Sequence, residues 1–282
     1  MGRSATITVE SDGTIARVTL DRPERRNAID GAMVTELREV FERLSQEPSL
    51  RVILLAAKGD VFCAGADIKW MHSAAPTSAA RAREDAHLLT AMFHAIDACP
   101  CPVIGLVQGP AFGGGIGLMA VCDMVVAVHG AMFSLSEARL GLVPAIIAPF
   151  LLRKAGESFL RRYGLSGEAF TASTAHQFGL VHDVVQPGDL EGRAAELIDA
   201  ALRLAPQAVR ETKALTQKLR SLSDQDRRAV CAETNARARC AFEAQEGLQA
   251  FLKKRSPSWA KQQATQPTQE AQRSQDAAVE RT

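Results

Sequence analysis

Two short turns rich in glycine and alanine carry the residues with the clearest chemical potential. The first, residues 62–67 (FCAGAD), follows a strand predicted at 51–56, and the second, residues 109–115 (GPAFGGG), follows a strand predicted at 103–107. Ligands of α/β sheets bind where strands end, and small residues let a ligand approach backbone N–H groups. Two such groups directed at one point can stabilise a developing oxyanion. The same small residues could instead serve only tight packing, and spacing alone leaves both interpretations open.

The elements that position these turns alternate between strands and helices. Strand patterns at 15–20, 51–56, 103–107 and 124–128, together with a helical stripe at 81–98, predict an α/β core. Asp30 is expected to cap a helix whose apolar side chains recur at helical spacing from Met33 to Leu44. From about residue 189 the pattern is helical only, at 190–204, 206–219 and 224–252. The predicted class is therefore α/β with a purely helical C-terminal part.

Length and charge exclude several classes of function. The chain has 282 residues and a formal net charge of +1, from 33 basic and 32 acidic side chains. This balance disfavours a general electrostatic attraction to nucleic acid or to an anionic membrane. No apolar run reaches the roughly 20 residues of a membrane-spanning helix, and residues 1–13 lack the apolar stretch of a signal peptide. We expect a cytoplasmic protein that binds neither nucleic acid nor membranes.

The cysteines, histidines and serines show no pattern typical of a metal site or a nucleophile. None of the six cysteines belongs to a C-x-x-C pair, and the C-x-C sequence of Cys99 and Cys101 is interpreted as the extended entry to a strand. Free thiols are therefore expected. The six histidines lack ligand spacing, so no metal is predicted. Ser134 and Ser136 lack a nucleophile elbow, and Asp123 is expected to have a structural role.

Three segments, in this order along the chain, resemble the enoyl-CoA hydratase/isomerase family, also called the crotonase superfamily. They are residues 62–69 (FCAGADIK), 107–123 (VQGPAFGGGIGLMAVCD) and 133–142 (FSLSEARLGL). The resemblance implies a crotonase fold, in which a spiral of ββα units occupies residues 1–200. It also implies a helical C-terminal region, residues 201–260, that forms homotrimers or hexamers. The polar composition of residues 261–282 predicts a mobile tail.

The resemblance further implies a coenzyme A thioester as the substrate. No separate cofactor is expected, because the substrate itself carries coenzyme A. By motif position, the backbone N–H groups of Ala66 and Gly114 correspond to the family's oxyanion hole for the thioester carbonyl. The family's contacts to coenzyme A correspond to Arg26, Ala28, Ala64, Ala66, Asp67, Ile68 and Gly114. Arg25 could replace Arg26 at the phosphates, and Lys253 or Lys254 could reach the coenzyme A of a neighbouring subunit.

The acid–base groups depart from the family's two-carboxylate pattern. Two-carboxylate hydratases have one Glu two residues after the glycine triplet, and that position is Gly117 here, whereas the second Glu matches Glu137. A single carboxylate can add water to a 2-enoyl thioester, or move a proton between Cα and Cγ. The resemblance therefore implies an enoyl-CoA hydratase with Glu137 as its acid and base. A Δ3,Δ2-enoyl-CoA isomerase using Glu137 is the first alternative, and a non-catalytic coenzyme A-binding protein is the second.

The acyl group is suggested by residues 133–150 (FSLSEARLGLVPAIIAPF), which are similar to methylglutaconyl-CoA hydratases. This similarity implies a branched 2-enoyl-CoA, with 3-methylglutaconyl-CoA as the best candidate. Its second carboxylate calls for a cation or amide donors, for which Arg139 and Lys69 are the nearest candidates by sequence. Trp70 could form a wall of the acyl pocket or pack in the core.

Overall fold

The main sheet has six strands. The computed structural model describes residues 5–74 and 79–260, and the tail predicted to be mobile lies outside these residues. The strands are β1 (Ile7–Ser11), β2 (Ile15–Leu20), β3 (Val52–Ala57), β4 (Val103–Val107), β6 (Met124–Val128) and β9 (Asp183–Val185), in the spatial order β1–β2–β3–β4–β6–β9. Only the β1–β2 pair is antiparallel, so β2, β3, β4, β6 and β9 all end at the same edge of the sheet.

A second, smaller layer lies beyond that edge. It consists of β5 (Ala111–Phe112), β7 (Met132–Ser134) and β8 (Phe170–Thr171). β5 pairs in parallel with β7, which pairs antiparallel with β8. Isolated parallel bridges between Ile29 and Ala66 and between Cys63 and Ala111 connect the intervening loops to this layer. After β3 and after β4, the chain therefore enters a short segment that pairs with a neighbouring segment of this layer. These two segments contain the two glycine- and alanine-rich turns.

Ten helices surround the sheets in the described part of the chain. They are α1 (Gly31–Ser45), α2 (Ile68–Ala74), α3 (Ala79–Asp97), α4 (Gly114–Val121), α5 (Ala148–Ser166), α6 (Ala172–Gln177), α7 (Leu190–Leu202), α8 (Pro206–Lys218), α9 (Asp224–Cys240) and α10 (Phe242–Leu252). Asp30 caps α1, as predicted, because its Oδ1 accepts hydrogen bonds from the N–H groups of Ala32 and Met33.

The core lies between the main sheet and these helices. Strands β3 and β4 are almost completely buried, which explains their continuous apolar sequences VILLAA and VIGLV. Helix α4 is apolar on every side and is buried from its second residue onward, since it packs against both α3 and α5. A helix without a polar face needs such surroundings. None of the helices described here combines the length and the apolar character needed to cross a bilayer.

The predicted single helix over 224–252 is wrong. The structure ends α9 at Cys240 and begins α10 at Phe242, because the intervening Ala241 is extended, with φ −71° and ψ 151°. The turn brings Glu243 to the start of α8, where its carboxylate accepts hydrogen bonds from the N–H groups of Gln207 at 3.0 Å and Ala208 at 3.1 Å. Helical periodicity does not reveal such a contact between distant segments.

Candidate active site

The two glycine- and alanine-rich turns lie side by side at the carboxyl ends of β3 and β4. Between them, the N–H of Phe112 donates a hydrogen bond to the Cys63 carbonyl at 2.9 Å. Gly115 has no room for a side chain, because a Cβ there would stand 2.6 Å from the same carbonyl oxygen. The packing interpretation of the small residues is therefore correct for Gly115, while other residues of both turns border a cavity.

Ala66 and Gly114 both line that cavity. The Gly65 carbonyl accepts a hydrogen bond from Ile29 at 2.8 Å, so the Ala66 N–H, across the same trans peptide, points away from Ile29. The Gly113 carbonyl accepts a hydrogen bond within α4 at 3.1 Å, so the Gly114 N–H points out of the helix N-terminus. A Cβ built on Gly114 would lie 3.7 Å from the Ala66 nitrogen. Two donors thus lie close together beside one cavity, as an oxyanion site requires.

Glu137 lies at the start of a single 3-10 turn, Glu137–Leu140, shortly after β7. Its carboxylate lies over Gly113, where a Cβ would stand 2.9 Å from Oε1. Its Oε2 is buried and has no hydrogen-bond partner among the described residues. Burial raises the pKa of this carboxyl above its ordinary value, and a hydrogen bond from its own backbone N–H partly opposes the effect. A carboxylate in this state is suited to accept and return a proton.

Apolar side chains fill the space where a second carboxylate would lie. A Cβ on Gly117 would stand 2.3 Å from Ile147 Cγ2 and 3.0 Å from the Cε1 and Cζ atoms of Phe93. Ordinary contacts between carbon atoms are about 3.5–4.0 Å, so even an alanine would require these neighbours to move. Position 117 therefore has no room for a carboxylate side chain in this packing.

The cavity has a volume of about 350 Å³ and an almost entirely apolar wall. Among the described residues that line it, Glu137 is the only one with an ionisable side chain. The side chains that form the apolar part of the wall include Ile29, Ile68, Met71, Leu89, Phe93, Leu140, Leu142, Val143, Ile146 and Ile147. A volume in this range suits a small ligand or the acyl part of a larger one.

Buried polar groups hold the loop before α1 against the first turn. Asn27 is completely buried, and its amide donates to the carbonyls of Lys58 at 2.9 Å and Val61 at 2.8 Å. Its φ of 54° lies in the left-handed region, which Asn tolerates better than most residues. The next support is Arg22, whose guanidinium lies 3.1 Å from the Asp30 carboxylate. These contacts fix the backbone that leads to Ile29 and so to the Ala66 peptide.

The residues predicted to bind coenzyme A fall into two groups. Ala64, Ala66, Ile68 and Gly114 line the cavity, and Ile68 is 55% exposed at its edge. Arg26, Ala28 and Asp67 are not among the lining residues, although Asp67 lies between Ala66 and Ile68 in the chain and the Arg26 carbonyl accepts a hydrogen bond from the Ala64 N–H at 2.9 Å. The Asp67 carboxylate accepts a hydrogen bond from the Lys69 N–H at 2.9 Å, at the start of α2. The Asp67 side chain therefore has a structural role, and its backbone N–H donates to the Ile29 carbonyl at 2.8 Å. Arg25, Lys253 and Lys254 are exposed and lie outside the lining.

The candidates for binding a distal carboxylate do not line the cavity. The Arg139 guanidinium instead donates to the Gly167 carbonyl at 2.8 Å. Lys69 is exposed, although its neighbour Ile68 lines the cavity. Trp70 is not a wall residue; a Cβ on Gly31 would lie 3.0 Å from its Nε1, so it packs beside the start of α1.

Cysteines and Asp123 have the structural character expected. Cys99 and Cys101 are buried free thiols with their sulfurs 3.6 Å apart. Asp123 accepts a hydrogen bond from the Val103 N–H at 2.8 Å and pairs with Lys213 at 2.6 Å. It therefore fixes the start of β4 at the opposite end from the cavity.

Several residues of the cavity could not be predicted from the sequence. Phe93 and Leu89 were expected only as the apolar stripe of a helix, and Ile147 only as part of a motif. A helical stripe gives the same signal whether it faces a core or a cavity. The Asn27 amide also gave little signal, although a lone Asn between apolar segments is compatible with a left-handed, hydrogen-bonded position.

Comparison with known proteins agrees with this geometry. The sequence model of the family described as Enoyl-CoA hydratase/isomerase matches residues 10–263. The enoyl-CoA hydratase ACTT6 of Alternaria alternata is 37% identical over 223 residues, which cover 78% of this chain and 72% of that protein. The carnitinyl-CoA dehydratase of Proteus mirabilis is 32% identical over 262 residues, which cover 91% of this chain and 98% of that protein.

A solved structure also matches the fold. An enoyl-CoA hydratase from Shewanella pealeana superposes with a TM-score of 0.86 and 38% sequence identity, over 90% of this chain and 96% of that chain. The strand order, the paired turns and the helical C-terminal part are therefore those of a crotonase fold. The protein is an enzyme that belongs to the enoyl-CoA hydratase/isomerase family.

Proposed function

We propose that the enzyme adds water to a branched 2-enoyl-CoA, with 3-methylglutaconyl-CoA as the leading candidate. Glu137 is its acid and base in this proposal. The observation that carries it is Glu137, whose Oε2 is buried without a hydrogen-bond partner and which is the only ionisable side chain among the described lining residues. Ala66 and Gly114 line the same cavity, and in this proposal their N–H groups form the complementary oxyanion site.

The chemical steps use these three groups only. The N–H groups of Ala66 and Gly114 donate to the thioester carbonyl oxygen and stabilise the negative charge that develops there. The Glu137 carboxylate takes a proton from water while the water oxygen bonds to Cβ, and the resulting enolate then receives a proton from Glu137 at Cα. One water has been added and the carboxylate is regenerated. The reverse steps dehydrate the 3-hydroxyacyl thioester, which for this candidate is 3-hydroxy-3-methylglutaryl-CoA.

A Δ3,Δ2-enoyl-CoA isomerase is the second candidate. The observation that favours it is the closed space at Gly117, because no second carboxylate can assist Glu137 in activating water. In this reaction Glu137 removes a proton from Cα of a 3-enoyl thioester and returns it to Cγ. The mass of the substrate stays unchanged, which separates the two reactions experimentally.

Coenzyme A is proposed to bind at the edge of the cavity. Backbone groups of Ala64, Ala66, Asp67 and Ile68, together with Ala28 and Gly114, would contact the pantetheine arm and the adenine. The exposed Arg26 or Arg25 would meet the phosphates, where a guanidinium binds well. Lys253 or Lys254 of a neighbouring subunit would add a further cation. No resident cofactor takes part in this proposal.

The helical region 201–260 is proposed to assemble homotrimers or hexamers around the core formed by residues 1–200. Phe251 is 82% exposed, Phe242 81% and Leu252 79%. Large apolar groups exposed so fully are typical of surfaces that bind other proteins. Light scattering coupled to size-exclusion chromatography would test the assembly, and a monomer at micromolar concentration would contradict it.

A cytoplasmic location completes the proposal. Cys99 and Cys101 are free although their sulfurs are 3.6 Å apart. Neighbouring thiols of this kind persist most readily in a reducing compartment. Fractionation of cells that make the full chain would test this part.

The distal carboxylate of 3-methylglutaconyl-CoA determines the design of the activity test. A buried carboxylate without a partner is costly, and the described wall offers no cation. The substrate therefore binds only if its second carboxylate points toward the cavity mouth or toward backbone amides. 3-Methylcrotonyl-CoA has the same branch without the carboxylate and is the matched comparison.

Purified enzyme would be incubated separately with 3-methylglutaconyl-CoA, 3-methylcrotonyl-CoA, crotonyl-CoA and a 3-enoyl-CoA, and the products followed by mass spectrometry. Water gain on a branched substrate that falls roughly 10²- to 10⁴-fold in Glu137→Gln supports the hydratase. Glu157→Gln, which changes an exposed ion pair with Arg161, is the control and keeps full activity.

Other outcomes decide between the alternatives. Double-bond migration without a change in mass identifies an isomerase. Binding of every coenzyme A ester without turnover overturns both catalytic proposals. Activity that survives in Glu137→Gln overturns the role of Glu137, whichever reaction is observed.

A further inference from the structure

We infer that Ile147 and Phe93 are specificity-determining residues that close the acyl pocket beside Glu137 and limit the length of the acyl chain. This inference rests on the proposed function in one respect, namely that the acyl group occupies this cavity. The two side chains meet over Gly117, with Ile147 Cγ2 at 2.3 Å and the Phe93 ring at 3.0 Å from the position of a Cβ there. Both also line the cavity.

The position of this wall follows from the geometry of α4. Gly113 is the N-cap of α4, and its carbonyl accepts a hydrogen bond from the Gly117 N–H at 3.1 Å, so Gly117 lies one turn, about 6 Å, further along the helix axis. The Glu137 carboxylate lies over Gly113, whereas the Phe93–Ile147 wall lies over Gly117. The wall therefore stands one helical turn from the acid–base group, at a distance that the far end of a short acyl chain can reach.

The wall is held too firmly to move aside easily. Phe93 is 1% and Ile147 3% exposed, and the Phe93 ring packs against Phe150 with the ring centroids 6.1 Å apart. The Ile147 carbonyl also accepts hydrogen bonds from the N–H groups of Phe150 and Leu151, both at 3.1 Å, at the start of α5. Interiors packed in this way resist the insertion of additional atoms. A chain that reaches the wall is therefore rejected.

The wall also explains how one carboxylate can remain alone in the pocket. The carbon atoms of Ile147 and Phe93 occupy the volume beside Gly117 that a second side chain and its water would need. Neither side chain can exchange a proton, so Glu137 is the only proton carrier among the described residues of the wall. Chain-length selection and single-carboxylate chemistry thus have the same structural origin.

The first test compares kcat/KM for trans-2-hexenoyl-CoA and crotonyl-CoA in the wild type and in Ile147→Ala. The variant is expected to raise the ratio of hexenoyl to crotonyl by about tenfold or more, the scale on which extra methylenes are discriminated in apolar pockets. Leu37→Ala is the control, because Leu37 is a completely buried residue of α1 that does not line the cavity; its hexenoyl-to-crotonyl ratio of kcat/KM stays at the wild-type value.

A folded and active Ile147→Ala enzyme with a ratio within twofold of the wild type would overturn the inference. Phe93→Leu provides a second variant if Ile147→Ala does not fold. It removes the ring on the other side of the wall and is expected to change the ratio in the same direction.

A binding experiment separates this inference from the proposed function. Butyryl-CoA and hexanoyl-CoA lack a double bond, so calorimetry can measure their Kd values without any reaction. In Ile147→Ala, the ratio of the Kd for butyryl-CoA to the Kd for hexanoyl-CoA is expected to be about tenfold higher than in the wild type. If this shift occurs although the wild type hydrates no substrate, the inference stands and the proposed reaction is wrong. If hydration occurs but neither ratio changes, the inference alone is wrong.

Discussion

Substitution of Gly117 by alanine tests the packing on which the single-carboxylate site depends. An alanine in a helix interior is usually more stable than a glycine, by about 1 kcal/mol. Here the added Cβ would stand 2.3 Å from Ile147 Cγ2, which is more than 1 Å closer than an ordinary contact. Overpacking of this kind costs about 1–3 kcal/mol. Because the overlap exceeds 1 Å, the cost should lie in the upper part of that range, at about 2–3 kcal/mol. After the gain of about 1 kcal/mol, we expect Gly117→Ala to lose roughly 1–2 kcal/mol of unfolding free energy.

The contact partner can be verified with a double-mutant cycle. Ile147→Ala alone is expected to cost about 2–4 kcal/mol, because it leaves a cavity. In the double variant, the Cβ of residue 117 enters the space that Ile147 vacates. The double variant should therefore be more stable than the sum of the single effects predicts, by about 1 kcal/mol or more.

Urea unfolding at one fixed protein concentration would measure the four proteins, so that assembly affects all of them equally. Gly192→Ala is the matched control: Gly192 is an exposed glycine of α7, and a Cβ there has no heavy atom within 4 Å. This variant should be unchanged or slightly more stable. A Gly117→Ala protein as stable as the wild type, or strictly additive effects in the cycle, would refute the proposed packing.

Three further predictions concern the site and its supports. Burial raises the pKa of Glu137, so its basic form should disappear at a pH above the ordinary pKa of Glu. As pH falls through that value, kcat/KM for hydration should fall with it. A plot of kcat/KM against pH that stays flat down to the ordinary pKa would contradict this. The same raised pKa means that the charged form of Glu137 destabilises the folded state. Glu137→Gln should therefore be more stable than the wild type at pH 7, and as stable as the wild type below the ordinary pKa of Glu. Equal urea midpoints for the two proteins at both pH values would contradict this prediction. Asn27→Ala removes three side-chain hydrogen bonds, two donated to the Lys58 and Val61 carbonyls and one accepted from the Arg22 N–H, and should cost roughly 3 kcal/mol. It should also weaken coenzyme A binding in calorimetry, whereas an unchanged Kd would show that the loop does not position the site.

The alternation of strands and helices was predictable because it depends on local patterns. Continuous apolar runs predicted β3 and β4, and the Asp30 cap marked the start of α1. These features need only the neighbouring residues and a general preference for burial. The helix break at Ala241 was not predictable in this way, because Glu243 caps the distant start of α8.

The residue types of the candidate site were also visible in the sequence. The two small-residue turns, Glu137 and the absence of a carboxylate at Gly117 could be identified from motifs and their order. A motif specifies a residue type and a position along the chain. It does not specify which side chains from other segments meet there.

Tertiary structure alone decided what surrounds Glu137. It brought Phe93 of α3 and Ile147, at the start of α5, over Gly117, and left Glu137 Oε2 buried without a partner among the described residues. It also directed Arg139 to the Gly167 carbonyl and away from the cavity wall. Burial, pKa and pocket shape depend on atoms that are distant in sequence but close in space, so they are properties of the packed chain.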